Sequence, residues 1–66
     1  MEEIVKKLKD IRLEKGLSLN EVARRMGTVY PRLSEIEHGR GGLTLKNLFR
    51  WADAMGVKVT IKFEEE

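Results

Sequence analysis

Between Leu17 and Arg40 the chain reads LSLNEVARRMGTVYPRLSEIEHGR. This stretch constrains the fold more than any other, because it encodes two short helices with almost nothing between them. Ser18-Leu19-Asn20-Glu21 has capping-box spacing. The Ser18 hydroxyl can accept from the Glu21 amide while the Glu21 carboxylate reaches back to the Ser18 amide. Val22, Ala23 and Met26 then fall on one inward face, and small Ala23 permits close approach by a neighbour. Gly27 breaks the helix, since glycine takes a positive φ at little cost. With only about three residues before the next helix, the two must cross steeply.

The second helix begins between Thr28 and Pro31. Proline belongs in a first turn, and the residue before it avoids helical angles. Val29 cannot cap with its side chain, which leaves Thr28 as the nearest hydroxyl. Leu33 and Ile36 point inward. At about 100° per residue, Pro31, Ser34, Glu35 and His38 take the opposite face, Tyr30 and Arg32 flank it, and Glu37 stands near the inner edge. Gly39 ends the helix, and Arg40-Gly41-Gly42 makes a partly basic loop.

The flanks read as support. Ile4, Leu8 and Ile11, with Val5 alongside, give a first helix over residues 3–15, closed by Gly16. Thr44 is the best cap for a helix from Leu45 to Met55, with Leu45, Leu48, Phe49, Ala52 and Met55 as its stripe and Trp51 standing off it. Residues 57–63 alternate strictly. Val57, Val59, Ile61 and Phe63 share one face; Lys58, Thr60 and Lys62 share the other. That is a strand pattern with no second strand in the chain to pair with. Pairing with the same strand of a second copy is the simplest remedy. An arm lying on its own domain, or a strand added to another protein, remains open. Trp51 is either core or a dimer contact.

The expected architecture is mostly α: four to five helices in a bundle over residues 1–56, then one C-terminal β-strand paired across a dimer. Residues 57–66 carry that strand and an acidic tail within the same single domain. Sixty-six residues bury a small core, and zero cysteines exclude disulfides and thiolate metal sites, so a second subunit is the expected source of added stability. No apolar run approaches membrane-span length and the first residues are unlike a signal sequence, which points to a cytoplasmic protein without a membrane partner. Thirteen Lys and Arg against eleven Asp and Glu leave only +2, but three acids close the chain, so the body is more basic than the total. One histidine and unpaired surface acids support no catalysis, and no cofactor is implied. The glycines at 39, 41 and 42 follow a helix and fit no nucleotide fingerprint.

Taken together, Leu17-Ser18 into Val22-Ala23, the Met26-Gly27 turn, Leu33-Ser34-x-Ile36-Glu37-x-Gly39, and Thr44-Leu45 into Leu48 and Ala52-x-x-Met55-Gly56-Val57 resemble the Cro/C1-type (XRE-like) helix-turn-helix family over about residues 4–57. The added strand resembles antitoxin repressors that dimerise through a C-terminal ribbon. The resemblance implies double-stranded DNA as partner and places residues 28–38 in the major groove. Its base-reading positions are Thr28, Val29, Tyr30, Pro31, Arg32 and Glu35; its phosphate positions are Ser18, Leu19, His38 and Arg40. Some members pair an arginine of the first helix with a glutamate late in the recognition helix, and Arg12 and Glu37 stand there. Dimerisation falls to Trp51 with Val57, Val59, Ile61 and Phe63.

Three positions depart from the family. Where Ser or Thr and then Gln are common, this chain has Val29 and Tyr30, and tyrosine cannot bond adenine bidentately. Glu35 repels phosphate but can accept from cytosine N4. Tyr30 either contacts DNA or covers the turn as a partly buried ring. Arg24 and Arg25 read as surface charges. The expected function is a sequence-specific repressor acting as a homodimer on a palindromic operator. The alternative is an antitoxin that binds a toxin protein and represses its own operon. An adaptor that has lost DNA binding is a third reading.

Overall fold

The structure is a computed structural model that describes residues 2–65. Four helices follow in order: α1 (Glu2–Glu14), α2 (Leu19–Met26), α3 (Tyr30–Glu37) and α4 (Leu45–Ala54). α2 packs against both α3 and α4, and α1 packs against α3. Leu33, Val22 and Trp51 are fully buried at the centre, with Leu8, Ala23, Leu48, Ala52 and Met55 around them.

Local chemistry explains the helix ends. Ser18 Oγ accepts from the Glu21 amide at 3.1 Å, and Thr44 Oγ1 accepts from the Asn47 amide at 3.1 Å. Each ties down an amide that has no partner inside its helix. Gly27 leaves α2 at φ 74°, which lets the Thr28 amide return to the Ala23 carbonyl at 2.9 Å. That closure shortens the turn to three residues and forces α3 across α2.

The capping box is only half made. Glu21 does not return to Ser18; its carboxylate takes Arg24 Nη2 at 2.7 Å and Arg25 Nε at 3.0 Å instead. Two guanidinium groups within one turn outcompete a single amide for the carboxylate. The Arg24 hydrogen bonds, followed by the nearby charges of both arginines, hold the Glu21 carboxyl below its usual value. A depressed carboxyl contributes stability above its unfolded pKa and loses it as pH falls through the folded value. Thermal melts of Glu21→Gln and wild type should therefore differ at neutral pH and converge towards about pH 3, with a small gap because the site is open to solvent.

α1 and α4 bury most of the stripe that their periodicity predicts, including Val5, Leu8, Leu48, Ala52 and Met55, and depart from it at the edges. In α1 the buried set is Val5, Leu8 and Arg12, while Ile4 is exposed. In α4 it is Leu48, Trp51 and Ala52, while Leu45 and Phe49 lie outside. Trp51 is 0% exposed, so its assignment to a dimer contact is corrected: it is core and offers no surface to a second subunit.

No strand forms among the described residues. Residues 57–65 have no ladder partner in a single chain, and a strand needs one. Val57 and Val59 pack against the helical core, whereas Ile61 is 44% and Phe63 92% exposed. The alternating segment thus begins as an arm on its own domain and ends in open apolar side chains. Glu66, the last acid of the tail, lies outside the described residues.

Candidate nucleic-acid interface

α3 is gripped from behind and at its C-terminal end. Leu33 and Ile36 insert into the core. Glu37 is buried and takes Arg12 with both oxygens, Oε1 from Nη2 at 2.8 Å and Oε2 from Nε at 3.1 Å. The third nitrogen of Arg12, Nη1, donates to the Leu17 carbonyl at 2.8 Å. One guanidinium therefore joins α1, the entry to α2 and the end of α3. Gly39 turns the chain at φ 77°, and the Arg40 amide bonds the Glu35 carbonyl at 2.8 Å, which fixes the loop that follows.

What the grip leaves outside is the row expected from the angle count. Pro31, Glu35 and His38 are exposed and Ser34 is half-buried. Tyr30 is 47% exposed, so its ring is open to a partner rather than sealed over the turn, and Val29 is 64% exposed. Thr28 does not cap α3. Val29 occupies the cap position with no side-chain hydrogen bond, and Pro31 sits in the first turn. Tyr30, the residue before Pro31, is already helical despite the pre-proline preference for extended angles, and it is Val29 that is extended.

Arg32, Glu35 and Arg40 line one groove with Asn47 of α4, and Thr28 and Arg32 line the next with Lys46, Asn47 and Arg50. Four positions expected to touch DNA thus share one side of α3. Ser18 and Leu19, at the start of α2, line neither groove. The Ser18 hydroxyl already accepts the Glu21 amide but keeps its proton to donate. His38 is exposed at the end of α3. Its Nδ1 lies 2.7 Å from the Ser34 carbonyl, so that nitrogen carries the proton. Nε2 of the neutral ring is then an acceptor and donates to a phosphate only when the ring is charged. Arg24 and Arg25 are committed to Glu21, and Arg25 Nη1 also reaches the Ala54 carbonyl at 3.1 Å.

A helix-turn-helix family model matches residues 8–61. The chain belongs to the Cro/C1-type helix-turn-helix family. Comparison with curated proteins and with solved structures gives no significant match. The family is one of DNA-binding transcription regulators, and α3 is the second helix of the motif. The match extends through Ile61 and so takes in most of the alternating arm. No helix of the structure is long and apolar enough to cross a membrane. Among the described residues no cluster of three or more metal-ligating side chains is present.

Lys46, Asn47 and Arg50 were missed from the sequence. The signal was there: Lys46 and Arg50 are four residues apart, on the helix that directly follows the basic Arg40 loop.

Proposed function

We propose that this protein is a sequence-specific transcriptional repressor that binds a palindromic operator as a homodimer. The observation that carries the reading is the exposed outer row of α3 on a helix locked from behind by Arg12 and Glu37. A rigid recognition helix spends no binding energy on ordering itself. Val29, Tyr30, Pro31, Arg32 and Glu35 face base edges, with Thr28 at the rim. Ser18, Leu19, His38 and Arg40 hold the backbone on either side. Repression follows from occupying a promoter.

Two copies pair through residues 57–63. Each arm supplies the ladder the other lacks, and pairing removes the exposed Ile61 and Phe63 from water. Two α3 helices are then held about 34 Å apart, or a multiple of that, along the duplex. Residues 1–56 are the DNA-binding part and 57–66 the dimerisation arm.

Selection from a random duplex pool followed by gel shift tests the reading. Arg32→Ala and Arg40→Ala should each weaken operator binding by about tenfold or more, at unchanged helical circular dichroism. Unaltered affinity in both variants would sink the site assignment. Light scattering should report a dimer, and Phe63→Asp a monomer.

A second reading is favoured by the same arm. Phe63, 92% exposed beside Glu64 and Glu65, also suits capture of another protein, as an antitoxin captures a toxin. A neighbouring short reading frame that kills cells when expressed alone, and is neutralised by this chain, would establish it. The two roles are compatible, because an antitoxin of this kind also represses its own operon.

A further inference from the structure

A groove of about 430 Å³ lies where the arm leaves the helical body. Phe49 and Ala52 of α4 line it together with Val57 and Val59 of the arm. Phe49 is 44% exposed, so the groove holds apolar surface that the chain leaves open to water. Arg50, Lys58 and one acid, Asp53, complete the lining. Farther along the same arm stands Phe63, almost wholly exposed and followed by Glu64 and Glu65. An open apolar groove with two cations thus has its complement, an open ring followed by acids, on the same chain. Phe63 cannot fill its own groove, however. It lies six residues past Val57, about 20 Å along an extended arm. The residues between, Lys-Val-Thr-Ile-Lys, form no turn and include no turn-forming type.

A second copy brings Phe63 there by register alone. Two identical arms related by a two-fold axis pair antiparallel, and the residue on the axis stands opposite its own copy. With the axis at Thr60, Val57 meets Phe63 of the partner subunit and Val59 meets Ile61 of the partner subunit, so every apolar position of each arm is paired on one face. An axis at Ile61 would set Val57 against a Glu65 carboxylate, on the apolar lining of the groove. An axis at Val59 would set Phe63 against Met55, which is buried at the end of α4. An axis between residues would set apolar side chains against Lys58, Thr60 or Lys62. Val57 and Val59 pack on the helical core and line the groove, so the face they share is the one turned towards Phe49. On the outer face Lys58 comes opposite Lys62 of the partner subunit, while Glu64 of the partner subunit stands diagonally beside Lys58 and offsets that repulsion.

We infer that the groove between α4 and the arm is the seat for Phe63 of a second copy, with the two arms paired about Thr60 and each copy filling the other's groove. The inference rests on the homodimer reading above and adds to it the register and the contact with Phe49. A seat on α4 ties each arm to the partner's helical body as well as to the partner's arm. The spacing of the two α3 helices is then set by side-chain packing and not by the ladder alone.

The chain has no cysteine, so single substitutions report the register. Under mild oxidation Thr60→Cys should form a covalent dimer, because side chains directly opposite on paired strands have Cβ atoms about 4.5–5.5 Å apart. Lys58→Cys alone should not, since its copy lies about 13 Å away along the ladder, whereas a mixture of Lys58→Cys and Lys62→Cys should crosslink. Light scattering over a dilution series reads the seat. Phe49→Ala and Phe63→Ala should each raise the dimer Kd by about tenfold or more, at unchanged helical circular dichroism. The double variant should be little worse than either alone, as expected of side chains that touch. Leu13→Ala shortens an exposed side chain on α1 and should leave Kd unchanged. A wild type that stays monomeric at every concentration overturns the homodimer reading and the seat with it. A dimer in which Ile61→Cys crosslinks in place of Thr60→Cys, or in which Phe49→Ala leaves Kd unchanged or adds fully to Phe63→Ala, overturns the seat while the homodimer stands.

Discussion

Glu37→Ala should remove a large share of the protein's stability at room temperature. The carboxylate is 2% exposed and takes two hydrogen bonds from a guanidinium that is itself 10% exposed. Removing it leaves Arg12 buried with the Leu17 carbonyl as its remaining partner. Stranding one member of a buried pair costs about 3–5 kcal/mol, because the surviving charge then has neither water nor partner. A domain of this size has roughly 3–10 kcal/mol in total. Urea titration followed by circular dichroism should therefore show a midpoint far below that of wild type. Arg12→Met/Glu37→Leu separates charge from packing. Replacing both members with apolar groups of similar volume should restore stability to near wild type or above it. A Glu37→Ala chain within about 1 kcal/mol of wild type would mean that water reaches the pair and that it does not hold α3. Restored stability need not restore DNA binding, since the bidentate geometry that orients the end of α3 is gone in the apolar pair.

Trp51→Ala should be comparably severe, at about 3–5 kcal/mol, through the cavity it opens between α2 and α4. Trp51 is the largest fully buried side chain, and its ring is enclosed by a core with few other large members. Trp51→Phe should cost less than its loss of volume implies. The indole Nε1 is buried without a hydrogen-bond partner. An unsatisfied buried donor already costs about 1–3 kcal/mol, and phenylalanine removes it along with the extra ring. Melts read at the helical band distinguish the two, since the variants lack the tryptophan signal. A Trp51→Phe variant as damaged as Trp51→Ala would show that the indole has an acceptor after all. If Trp51→Ala altered oligomeric state but not stability, the core placement would be wrong.

The folding of the central stretch is readable because its signals are local. A hydroxyl three residues before an amide, glycines at the turns that take positive φ, and inward residues at helical spacing each act within a few residues. These place α2, the turn and the buried side of α3, and helical spacing alone puts Glu37 at the core edge. Where local signals compete, the outcome departs from the pattern. Two arginines on the next turn took the Glu21 carboxylate from Ser18, and Val29 rather than Thr28 stands in the cap position of α3. Arg24 and Arg25 are surface charges with a shared anion, as their position on α2 implies.

The stripes of α1 and α4 were legible at Val5, Leu8, Leu48, Ala52 and Met55 but not at their edges. Each helix carries apolar residues on more than one face, so periodicity leaves the edge of the buried side open. In α1 Arg12 joins the buried side through a partner 25 residues away on α3, while Ile4 stays at the surface. In α4 the bulk of Trp51 claimed the interior and displaced Leu45 and Phe49. Sequence alone determined the order and ends of the helices, the rigid turn between α2 and α3, and which side of α3 faces out, since capping, glycine geometry and helical spacing are short-range. Tertiary structure decided where the buried faces of α1 and α4 end, that the alternating arm forms no ladder within one chain, and that α4 cations stand beside Arg32 and Arg40. Those outcomes depend on groups distant in sequence competing for the same buried or charged space.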